Sequence, residues 1–227
     1  FASRAFRRPV TREEADSIHL TWKATYAESG DFVQAIKDAL LVTLTSPQFM
    51  FLIETSDSPK AEKLGEFELA SKISYFLWNT SPDVELLDLA ASKQLERSVD
   101  AQVDRMIADA RFEDFATEFA TQWLSLEKVD VVEVDHKKYP ALHYHAKAHL
   151  RQEPIATVKY LIENNMPLSQ LIQSDFIVAN DVVADYYGLA EKSDSGLRFA
   201  PIHHDQKHLG GVLSQTAILA GLSNGSE

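Results

Sequence analysis

Cysteine is absent from the 227 residues. That excludes any disulfide, zinc-thiolate, iron–sulfur or covalently attached c-type haem site within the chain. The absence does not choose a compartment, since many extracytoplasmic proteins carry no disulfide. Long apolar runs are also missing: nothing approaches the roughly 20 consecutive apolar residues that cross a bilayer. The opening "FASRAFRRPVTREE" lacks the apolar core of a signal peptide. No G-x-G-x-x-G, P-loop or G-x-S-x-G occurs, so neither a built-in nucleotide site nor a nucleophile elbow is expected. Basic charge is scarce, 22 Lys and Arg against 34 Asp and Glu, a net charge of −12. Such a surface repels phosphate backbones and anionic lipid, which leaves basic partners.

What is present is helical periodicity, and the expected fold is mainly α, a bundle-like set of helices with orthogonal or irregular packing and little or no β. Thr11 with Glu14 three residues on has the form of a capping box after the break at Pro9. Asp31 is a good N-cap for a helix whose Phe32, Ala35, Ile36, Ala39, Leu40 and Thr43 form one stripe, expected to face the core. Pro47 interrupts that pattern, and the polar stretch 55–66 is the best linker candidate. From Glu66, Phe67, Ala70, Ile73, Ser74, Leu77 and Trp78 share a face while Leu69, Tyr75 and Phe76 cover much of the rest, the pattern of a central helix. "NTSPD" then ends it, with Ser81 as the next N-cap and Pro82 at the first helical position.

Ser98 is expected to cap a helix facing inward through Val99, Val103, Met106 and Ile107. Phe112, Phe115, Phe119 and Trp123 form an aromatic stripe expected in the core. "VDVVEV" reads as a short strand or an extended loop, and the helix from His143 onward is expected to bend at Pro154. Residues 167–188 read as two short helices around a turn, closed by Gly188, and 190–211 as loop.

Two constellations carry candidate chemistry. His145, His149 and Glu153 lie at i, i+4 and i+8, one face of a helix, and imidazole nitrogens at that spacing can share a transition-metal ion. Ala146 stands where a zincin motif has glutamate, so that motif is excluded, and Pro154 disfavours regular helix at Glu153. The second group is His203, His204, Asp205 and His208 in an expected connector, where an imidazole oriented by Asp205 could bind metal or act as a base. Six of the eight histidines fall in 143–149 and 203–208. Solvated polar surface is the plainer reading of both groups. It is also the plainer reading of Asp130, Glu133 and Asp135, which lack EF-hand spacing.

Several stretches resemble one family. "FASRAFRRPVTREE" is similar to the opening of a small domain of unknown function. "SPQFMFLIE", "ELASKISYFLWNTSPDVELLDLA", "FATQWLSLEKVD" and "DFIVANDVVADYYGL" resemble the landmarks of the domain after it, and "GGVLSQTAILAGLSNGSE" the start of a third. Together they resemble the large multi-domain proteins, abundant in planctomycetes, whose domains of unknown function share a chain with a c-type cytochrome domain. Lys72 stands where that family usually has Arg. The resemblance implies helical domains at 1–58 and 64–195 and the beginning of a truncated third at 196–227. It implies export to the periplasm or outside, with any haem held elsewhere in the parent protein. The partners it implies are the parent's other domains, a c-type cytochrome domain among them. The reading that follows is a scaffold or partner-binding module of an electron-transfer system. The alternative is a metal-dependent oxidoreductase or hydrolase built on the two histidine groups.

Overall fold

The computed structural model describes residues 1–54, 63–135, 137–142 and 144–223. Most of the 55–66 linker, with His136 and His143, therefore lies outside the described residues. The fold is mainly α: thirteen helices and a single two-stranded sheet among the described residues. Two compact units divide the chain, Phe1–Met106 and Ile107–Glu227.

The first unit opens with α1 (Ala2–Ala5), α2 (Arg12–Ser29), α3 (Phe32–Leu44) and α4 (Pro47–Met50). The capping box forms as the spacing predicts: Glu14 N–H donates to Thr11 Oγ1 at 3.2 Å and Thr11 N–H to Glu14 Oε2 at 2.8 Å. Asp31 caps α3 through Val33 and Gln34 N–H. Gly30, at φ +66°, takes the left-handed turn between the two helices. The stripe on α3 splits. Ala35, Ala39 and Thr43 are buried, whereas Phe32 and Ile36 stay exposed.

Next come α5 (Glu66–Trp78), α6 (Val84–Ala91) and α7 (Leu95–Ile107). Trp78 is fully buried, and its indole N–H donates to the Met106 carbonyl at 2.9 Å. The Arg105 guanidinium lies 5.2 Å from its ring centroid. Two caps differ from expectation. Ser81 hydrogen-bonds Tyr75 Oη instead of capping, and Asp83 caps α6, its Oδ1 accepting from Leu86 N–H while Oδ2 meets Arg105 at 2.7 Å. A carboxylate serves helix terminus and cation together, which a serine cannot. Likewise α7 starts at Leu95, because Glu66 accepts the Leu95 and Glu96 N–H groups across 29 residues of sequence. That long-range cap places Ser98 inside the helix.

The second unit contains α8 (Phe112–Leu124), α9 (Glu127–Val131), α10 (Tyr144–Glu163), α11 (Ser169–Ile172), β1 (Phe176–Ala179), α12 (Asp181–Tyr186), β2 (Ala200–His203) and α13 (Thr216–Leu222). "VDVVEV" thus begins in the short helix α9. On α8 only Phe112 of the aromatic stripe is buried. Phe115 is half-buried and stacks on the exposed Phe119, which meets Trp123, 53% exposed, at a tilt. The neighbouring stripe of Ala116 and Ala120 is buried instead, since small residues let α8 approach α10 closely. The helix α10 runs through Pro154 as one element.

The two short helices expected in 167–188 form as α11 and α12; the sheet corrects the turn expected between them and the loop expected over 190–211. β1 and β2 pair antiparallel, Phe176 opposite His203 and Ala179 opposite Ala200. All four β1 residues are buried. A strand covered on both faces shows a continuous apolar run, which periodicity cannot separate from a buried helical turn. Pro201 is accommodated because β2 is an edge strand.

Candidate functional site

One face of α10 carries polar residues inward. His149, Glu153 and Thr157 follow at i, i+4 and i+8, among the buried Ala146, Leu150, Ile155, Val158 and Leu161. His149 and Glu153 hold the two ends of α12, and Thr157 holds the residue before α13. His149 Nδ1 lies 2.8 Å from Asn180 Nδ2. An amide N–H can only donate, so Nδ1 accepts and the imidazole proton sits on Nε2. Asn180, fully buried, also caps α12 by accepting from Val183 N–H at 3.1 Å. Thr157 Oγ1 donates to the Glu153 carbonyl and accepts from Gln215 Nε2 at 2.8 Å, just before α13.

Glu153 is the centre of this line. Its side chain is fully buried. Tyr187, at the C-terminal end of α12, donates its hydroxyl to Glu153 Oε2 at 2.8 Å and accepts from Thr216 N–H, the first residue of α13, at 2.9 Å. Glu153 Oε1 has no hydrogen-bond partner among the described residues. Burial pushes the carboxyl up to about 8, with the Tyr187 hydrogen bond opposing only part of that rise. Glu153 is therefore chiefly neutral at pH 7. Burial, and next the adjacent Glu153, drives the Tyr187 hydroxyl above its ordinary range. None of the four described cavities is lined by Glu153 or Tyr187. The pair joins α10, α12 and α13.

The remaining histidines lie elsewhere. His145 is exposed on α10. His203 is exposed at the end of β2, its Nδ1 3.8 Å from Asp175 Oδ2. His204 is buried. Its backbone N–H donates to Asp175 O, its Nδ1 accepts from Gln206 N–H, and burial, then Lys192, lowers its pKa. His208 is exposed beside it, lining an open hollow of about 480 Å³. His149 meets Asn180, just past one end of β1, whereas His203 and His204 meet Phe176 and Asp175 at the other. At about 3.3 Å per residue, the strand holds those backbone points roughly 16 Å apart. Among the described residues no three His, Asp or Glu side chains are grouped so as to hold a metal ion. Nothing in the sequence marked Tyr187 as the partner of Glu153. The available signal was Thr157, which extends the His149–Glu153 stripe and lies directly between apolar Ala156 and Val158.

A surface feature contrasts with this interior. On α2 and α3, Trp22 stacks on His19 and Tyr26, and Phe32 meets both Trp22 and Tyr26 edge-on. Phe32, Val33, Ile36, Leu41 and Leu44 are exposed on α3. An apolar hollow of about 530 Å³ is lined by Ile18, His19, Trp22 and Ile36. Contiguous apolar surface of this kind marks interaction sites in soluble proteins. Among the described residues, no helix is long and apolar enough to cross a membrane.

Comparison with known proteins gives two matches. The family model PSD4, a protein of unknown function (DUF1592), matches residues 64–189. PSD5, a protein of unknown function (DUF1595), matches residues 1–54. No curated protein and no solved structure matches the chain.

Proposed function

Since the chain belongs to the PSD4 family of proteins of unknown function (DUF1592), we propose that it is a partner-binding helical module of an exported, electron-transfer protein, docking a c-type cytochrome domain of its parent. The observation that carries this reading is the exposed apolar face of α2 and α3, around Phe32, Val33 and Ile36. A chain of net charge −12 favours a basic partner surface. The interior of α10 supports a structural assignment for the second unit, because its polar groups are engaged with α12 and α13. The chain itself then holds no haem, and its working environment is periplasmic or extracellular.

The test is titration calorimetry of the chain with a c-type cytochrome domain from the same parent protein. A micromolar complex that weakens with salt and loses about tenfold or more on Phe32→Asp or Ile36→Asp supports the reading. No heat at high concentration of both proteins, at low salt, contradicts it.

A further inference from the structure

The first unit contains a cleft of about 320 Å³ between the segment 48–54 and α5. That is the size of a small-molecule site. Phe6, Phe51, Leu52, Ile53 and Phe67 give it apolar walls, and Arg7, Arg8 and Lys72 line it with Glu54 and Glu68. Arg8 is paired with Glu14 and Lys72 with Glu54, so the charges around the cleft nearly balance, and Arg7 is the cation of the three that has no carboxylate partner among the described residues.

Arg7 is the unusual member. It is 5% exposed. Its guanidinium donates to four backbone carbonyls, those of Ala5, Gln48, Phe49 and Phe51. Four of its five N–H groups are thereby engaged, every acceptor is neutral, and the Tyr75 ring centroid lies 5.7 Å from the guanidinium carbon. Among the described residues no carboxylate forms an ion pair with it, although Arg8 pairs with Glu14 and Lys72 with Glu54. A buried cation without a counter-charge is costly and attracts an anion. Arg7 sits at φ +58°, the left-handed position that closes α1, with Arg8 N–H donating back to the Ser3 carbonyl, and this turn fixes the direction in which its side chain leaves the helix. The Lys72–Glu54 pair is half exposed on both sides. Such pairs contribute little, so an incoming carboxylate can replace Glu54 at small cost.

We propose that this cleft binds a small amphipathic organic anion, its aromatic or alkyl body against Phe51 and Phe67 and its carboxylate toward Arg7 and Lys72. The inference is independent of the cytochrome partner. The probe is 4-phenylbutyrate, titrated into the whole chain by calorimetry, with the neutral 4-phenylbutanamide as control. The acid is expected to bind about tenfold more tightly than the amide, as a charge-assisted contact requires. Its amide-resonance shifts should fall on Phe51, Phe67 and Ser71. Lys72→Glu and Phe51→Asp, both at exposed positions, should each weaken it by about tenfold with the circular dichroism unchanged. Arg7→Met is a poorer test because it also frees four carbonyls. Equal binding of acid and amide, no binding at about 10 mM, or binding that survives both surface variants overturns the proposal.

Discussion

The hairpin α2–α3 and the helix α10 break the simple inside–outside rule in opposite directions. On α3, Ala35 and Ala39 are buried while Phe32, Val33 and Ile36 face out. On α10, Glu153 and Thr157 are buried while flanked by Leu150, Ile155 and Val158. The interior departure is met mostly from within, by Tyr187, Asn180 and Gln215, with Glu153 Oε1 left unpartnered among the described residues. The surface departure has no such internal answer, and an exposed aromatic-aliphatic face gains most by being covered. Buried polarity here sets which elements meet; exposed apolarity offers a place for another molecule.

The largest expected effect concerns Glu153 and pH. Its carboxyl titrates near 4.5 without its burial and at about 8 in the folded chain. The folded state therefore holds the proton more tightly. The stability this supplies is fully present below about 4.5 and is lost as pH rises toward and through 8. Over that window the loss amounts to roughly 4–5 kcal/mol. Urea unfolding at a series of pH values should show stability falling relative to Glu153→Gln, which does not titrate. Parallel curves would mean the carboxyl is not isolated from charge or water.

Next in size is Tyr187→Phe. It leaves Glu153 Oε2 and the Thr216 N–H without their partner, a loss of about 2–3 kcal/mol. The urea midpoint should fall without change in the slope. Thr11→Ala removes one side of the capping box on α2, for about 1 kcal/mol, read in the same experiment. Smallest is Ile36→Asp, which should change stability by no more than about 0.5 kcal/mol because the position is exposed in the free chain. A larger loss would make the α3 face part of the folded core and end the contrast with α10.

Local signals were the legible ones. Thr11 with Glu14 and Asp31 before Phe32 announce helix starts because their bonds close within three residues. Starts fixed from a distance were not legible: α7 begins where Glu66 reaches it, and Asp83 outcompetes Ser81 because Arg105 is at hand. The two-stranded sheet was missed because Phe176–Ala179 is apolar throughout, without alternation. The aromatic stripe on α8 misled, since size alone does not show which of two adjacent stripes meets α10. For the candidate site, spacing correctly placed His149 and Glu153 on one helix face. It could not show that Asn180 and Tyr187, about 30 residues later, turn that face into the junction of three elements.

Hydrogen–deuterium exchange of the whole chain, with and without the c-type cytochrome domain, is the most direct test of the division between these regions. The account predicts new protection across residues 18–44 and no change at 149–157 or 180–187. Protection confined to α10 and α12, with the hairpin unchanged, would contradict it.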